Sequence, residues 1–145
     1  NYTKFLCQHA FELLEEGILH MNKEKIVIGS LISGLGFGNS STTLGHALSY
    51  VFSNEGYSHG HALAFTTTVS HCFNNSIFYN RFKKLVKKLE FETIFLKQDF
   101  DIASEIILKD KKHLNNNPIP IGKKNIIELL IKINHGKMFE NEKDI

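Results

Sequence analysis

Tryptophan is absent from this 145-residue chain, and there are two prolines and two cysteines. Cys7 and Cys72 are too far apart for a C-x-x-C metal or redox motif, and two thiols make no disulfide framework, so reduced, packed cysteines are expected. No apolar run approaches the roughly 20 residues a bilayer-crossing helix requires. The sequence shows no signal-peptide pattern, and a cytoplasmic location is expected. Charge is nearly balanced, with a formal net of +2, which gives no case for nucleic acid as the main partner. Aspartate is missing from the whole first two thirds, Asp99 being the first.

The hydrophobic share of 42% with 22% charged residues suits a globular domain with a buried core, and the length fits one such domain. Asn1 opens directly into a helical pattern without a methionine, which raises the expectation that 1–145 is a piece of a longer polypeptide. Residues 3–16 have apolar positions at helical spacing, with Gly17 as the expected stop. Residues 26–38 are almost wholly apolar. Length favours a helix over a strand there, and Gly29, Gly34, Gly36 and Gly38 would admit a neighbouring backbone.

Helices are expected over Thr42–Phe52, His59–Phe73, Phe78–Leu89, Asp101–Leu108 and Asn125–Ile133. Ser53–Gly56 reads as a turn, Lys109–Lys124 as an Asn- and Pro-containing loop, and Phe139–Ile145 as a charged, frayed end. Asp101 is placed to be the N-cap or first-turn acid of its helix. Lys83, Lys84, Lys87 and Lys88 are expected on a solvated face. No strand or repeat stands out, so the chain reads as a single all-α domain.

The glycines at 34, 36 and 38 do not make a dinucleotide loop. G-x-G-x-x-G needs its third glycine at 39, where Asn39 stands, and no G-K-[ST] phosphate loop occurs anywhere. Asp110-Lys-Lys-His113 has ligand-type residues, but in an expected loop its i, i+3 spacing is better explained by chance. His9, His20, His71, His113 and His135 carry no individual signal. His46, His59 and His61 differ because they cluster around one short helix break. Neutral imidazole is a common ligand for divalent transition metals. A histidine within one helix and another at the start of the next can converge on one ion. Tyr50, four residues after His46, shares its helix face.

Gly45-His46-Ala47-Leu48-Ser49-Tyr50, followed by His59-Gly60-His61-Ala62, resembles the metal-binding signature of the iron-containing alcohol dehydrogenases. Ser30–Asn39 resembles the small-residue helix that precedes that signature, and Lys111–Pro120 resembles the family's L-x-x-N-P-R-P run near its C-terminus. The likeness spans roughly residues 24–135, is specific around 42–64, and leans to the branch that acts on phosphonate-bearing aldehydes and alcohols. It implies an all-α bundle like the C-terminal domain of the dehydroquinate synthase-like fold. His46 and His59 would ligate Fe²⁺ or Zn²⁺, and Tyr50 and His61 would line the catalytic site. The reaction implied is NAD(P)-linked interconversion of a small alcohol and its aldehyde or ketone.

The chain departs from that signature in several places. Thr43 stands at the family's usual glycine, so close helix packing is not assured by that position. Ser58 replaces the usual proline, and the thirteen-residue interval from His46 to His59 is one shorter than common, requiring a tighter turn. Tyr50 stands where many members hold a second helix histidine. The family's other two ligands come from an upstream Asp-x-x-x-His helix, which a chain without aspartate before Asp99 cannot supply. The expectation is therefore a C-terminal portion lacking its nucleotide-binding domain and inactive alone, with no membrane partner and homodimerisation left open. A sugar-phosphate cyclase of the dehydroquinate synthase type fits less well, because His61 stands at that family's glutamate. A non-catalytic helical interaction domain is the remaining alternative.

Overall fold

A computed structural model of the chain describes residues 1–38 and 40–139. The chain is all-α: eight helices and one short 3-10 turn occur among the described residues, with no strand. Its contacts divide it into two compact units, residues 1–42 and 43–145.

The first unit is a helical hairpin of α1 (Tyr2–Leu19) and α2 (Lys23–Gly38). The Asn1 side chain caps α1 by accepting from the Thr3 amide at 2.9 Å. α1 runs on through Gly17 instead of stopping there. Gly17 is used for packing, since a Cβ there would lie 2.8 Å from Ile26 Cγ1. Gly29 and Gly36 make comparable approaches to Leu14 and Cys7, whereas Gly34 and Gly38 face open space. The contact residues recur seven apart, Cys7 and Leu14 on α1 and Gly29 and Gly36 on α2. Two turns of helix return each to the same face. Lys25 pairs with Glu16 across the hairpin.

The second unit contains α3 (Leu44–Ser53), α4 (His59–Phe73), α5 (Tyr79–Lys88), α6 (Phe100–Lys109), α7 (Lys111–Leu114) and α8 (Lys123–Asn134). A 3-10 turn (Lys137–Phe139) ends the described chain; the rest of the expected frayed end, residues 140–145, lies outside the described residues. Leu44, Leu48, Val51 and Phe52 of α3 pack with Ala62, Phe65 and Val69 of α4, and Ala103, Ile107, Ile126 and Leu130 complete the core from α6 and α8. Lys83 departs from the expected solvated lysine face. It is buried, with its ammonium 5.4 Å above the Tyr79 ring one turn back.

Three local features position the site. Ser58, where proline was the family expectation, caps α4 by accepting from the His61 amide at 3.4 Å. Asp99 is the N-cap of α6, accepting from the Asp101 and Ile102 amides at 2.8 and 3.2 Å, so Asp101 takes the first-turn role. The expected 109–124 loop contains α7, because the Asp110 side chain accepts from the His113 amide at 3.3 Å and starts a helical turn. Sequence periodicity cannot reveal a helix of four residues.

The segment between α5 and α6 is extended and fastened at several points. Glu55 accepts from the Lys97 amide at 2.9 and 3.0 Å and from the Gln98 amide at 3.0 Å. The Asn134 amide both accepts from Leu96 N and donates to Leu96 O, at 2.8 and 2.9 Å. Phe95 N donates to the Tyr57 hydroxyl at 3.1 Å. These bonds draw Ile94 and Leu96 into the core.

Candidate metal centre

His46 lies in the first turn of α3, and His59 opens α4 after the Asn54–Gly56 turn. Their ring centroids are 5.3 Å apart with planes at 62°. The thirteen-residue interval is long enough because α3 and α4 fold back on each other with little between them. Gly45 makes this closeness possible. A Cβ at Gly45 would lie 2.9 Å from Thr67 Oγ1 and 3.2 Å from Thr67 Cα. The close approach left open by Thr43 is therefore made two residues later, where the glycine faces α4.

Tyr50, one turn after His46, stacks on His59 at 5.9 Å and 20° and stays partly open to solvent. The fourth ring is His113 of α7, a residue with no individual signal in the sequence. It lies 5.9 Å from His46 with nearly parallel planes (13°), and 5.9 Å from Tyr50. His113 is buried, and its Nδ1 meets Asp110 Oδ2 at 2.6 Å. The i, i+3 pair set aside as a chance loop feature is thus one short helix turn packed against the site. Two ligand-type residues in a segment without periodicity were its only sequence signal.

His61 is placed apart from this group. Positions 59 and 61 are about 200° apart around a helix, so their side chains leave on different faces. The His61 ring contacts Tyr57, Phe65 and Phe91, and its Nε2 donates to the Glu92 carbonyl at 2.5 Å. It fastens the start of the extended segment to α4.

His46 is pushed below the ordinary imidazole range, first by burial, then by repulsion from His59 and His113, against an upward pull from Asp110. A depressed value keeps the ring neutral with a lone pair available, which is the form that ligates metal. Two imidazoles on one tetrahedral ion, with nitrogens 2.0–2.1 Å from it, would place their ring centroids about 5 Å apart. The observed 5.3 Å is close to that spacing, so the two rings could serve one ion. Among the described residues, no group of three or more His, Cys, Asp or Glu side chains is gathered closely enough to form a complete ion site.

A model of the Fe-containing alcohol dehydrogenase family, C-terminal, matches residues 2–109. The match takes in α1, ahead of the stretch in which the resemblance was legible, and ends just before Asp110 and His113. No curated protein and no solved structure matches the chain. No helix among the described residues is long and apolar enough to cross a membrane.

Proposed function

Since the chain belongs to the Fe-containing alcohol dehydrogenase family, through its C-terminal region, we propose that it forms the helical, metal-holding part of an enzyme interconverting an alcohol and an aldehyde or ketone. The observation that supports this reading is the 5.3 Å ring-centroid separation of His46 and His59, which stand on two different helices. In this reading both imidazoles ligate Fe²⁺ or Zn²⁺. A bound ion of this kind supplies Lewis acidity at the alcohol or carbonyl oxygen.

The chain's own residues hold and shape the place where that chemistry occurs. Burial keeps His46 neutral, and the α3–α4 contact at Gly45 fixes its distance from His59. Tyr50 stacks on His59 beside solvent and lines the substrate approach with its phenol. NAD(P) and further ligands belong, in this proposal, to residues outside 1–145. His61 is assigned a structural part, because its Nε2 is engaged by the Glu92 carbonyl.

Zn²⁺ titration of the purified chain, followed by calorimetry, tests the reading. His46→Ala and His59→Ala should each abolish measurable binding while leaving the helical circular dichroism intact. Unchanged affinity in both variants would refute the site.

A further inference from the structure

We infer that a cavity at the end of α4 away from His59 binds a short-chain carboxylate, its apolar tail inside and its head at Lys132 and Lys137. The cavity is separate from the candidate metal centre. It begins at Val69, about 15 Å beyond His59 along the helix at 1.5 Å per residue.

The cavity has a volume of about 250 Å³ and lies within the second unit, between α4, the start of α5, α8 and the closing 3-10 turn. Two helix faces make it. Val69, Cys72 and Phe73 are spaced three and four apart from Val69 on α4, and Asn125, Leu129 and Lys132 step by four and three on α8. Side chains so spaced share one face of their helix.

Depth divides the chemistry of this space. Val69, Leu129 and Met138 are buried and form an apolar inner wall. Glu128 and Lys137 are exposed at the mouth, and Lys132 is half-buried. Lysine suits such a place, since its stem lies along apolar surface while its ammonium reaches water. Two ammonium groups stand there against one carboxylate, an excess of one positive charge over an apolar interior. An apolar wall alone would accept any hydrocarbon, whereas charge at its edge selects a ligand with a singly charged anionic head. A carboxylate keeps its charge near neutral pH and stays hydrated at the mouth, so only the tail leaves water. The space is smaller than the sites of drug-sized ligands and suits a linear tail of roughly six to eight carbons.

Cys72 lines the cavity and is a free thiol, and Cys7, the other free thiol, belongs to the first unit and serves as an internal control. Octanoate is the probe, and iodoacetamide labelling of each cysteine is followed by peptide mass spectrometry. At about ten times its Kd, octanoate should slow labelling of Cys72 about tenfold, because only unoccupied protein reacts, and leave Cys7 unchanged. Octanol, the same tail without charge, and acetate, the head without the tail, should each protect less at the same concentration. Lys137→Glu, at an exposed position, should weaken octanoate by about threefold or more and leave octanol unaffected. The threefold difference should shrink in high salt. Equal protection by octanol and octanoate, or octanoate binding unchanged in Lys137→Glu, would overturn recognition of the head. Equal protection by acetate would overturn the tail site. No protection of Cys72 by octanoate, or equal slowing of both cysteines, would overturn the cavity as a binding site altogether.

Discussion

Replacing Gly45 and Gly60 by alanine, one at a time, asks whether the α3–α4 contact brings the two histidines together. Each glycine is the second residue of its helix, in α3 and α4 respectively, so the intrinsic gain from alanine is similar for both. That gain is at most about 1 kcal/mol and smaller near a helix start. The surroundings differ. A Cβ at Gly60 meets nothing within 4 Å, whereas at Gly45 it meets Thr67 Oγ1 at 2.9 Å and Thr67 Cα at 3.2 Å. The hydroxyl can rotate away. The Cα cannot, so α4 must move by a few tenths of an ångström, and such overpacking costs about 1–3 kcal/mol. Gly60→Ala should therefore leave stability unchanged or slightly raised, while Gly45→Ala lowers it by about 1–2 kcal/mol once the propensity gain is subtracted. For a unit near 100 residues, each kcal/mol corresponds to roughly 4–8 °C in Tm. Thermal melts of the metal-free variants by circular dichroism would measure the difference. Gly45→Ala should also weaken Zn²⁺ binding below its melting temperature, since it shifts the helix that carries His59. Equal Tm changes in the two variants, or a Gly45→Ala protein more stable than the parent, would refute the close-contact reasoning.

Acid should destabilise the metal-free chain. Burial holds His71 below the ordinary imidazole value, and burial with repulsion from His59 and His113 does the same for His46, against the pull of Asp110. The unfolded chain takes its protons near pH 6.5, so stability is present above about that pH and is lost as pH falls through the depressed folded values. Urea midpoints measured from about pH 8 to about pH 5 should decline; a flat profile contradicts the burial argument. Glu55→Ala should release the extended segment, because three hydrogen bonds to the Lys97 and Gln98 amides converge on its carboxylate. The expected cost is about 1–3 kcal/mol. Faster hydrogen exchange at those two amides, with α8 still protected, is the signature, and unchanged exchange would deny the tether.

Helix periodicity made most elements legible in the sequence, down to the His59–Phe73 bounds of α4. Local chemistry is sufficient there, since apolar spacing and capping residues act over one or two turns. The departures arose where distant contacts overrule local preference. Gly17 looks like a helix stop but serves as a packing surface for Ile26, and Lys83 looks solvated but lies against Tyr79. Asp110 starts a turn too short to leave a periodic trace.

The His46–His59 interval determined by itself that two imidazoles flank one helix break, and the surrounding motif pointed to the family. Only the tertiary structure decided which other side chains join them. His61 is two residues from His59 but leaves its helix on another face and bonds to the Glu92 carbonyl. His113, fifty-four residues beyond His59, reaches the site because α7 packs on α3. Chain spacing fixes neighbours only within a helix turn. Which faces of separate helices meet is set by core burial and by the few positions, Gly45 above all, where backbones approach closely.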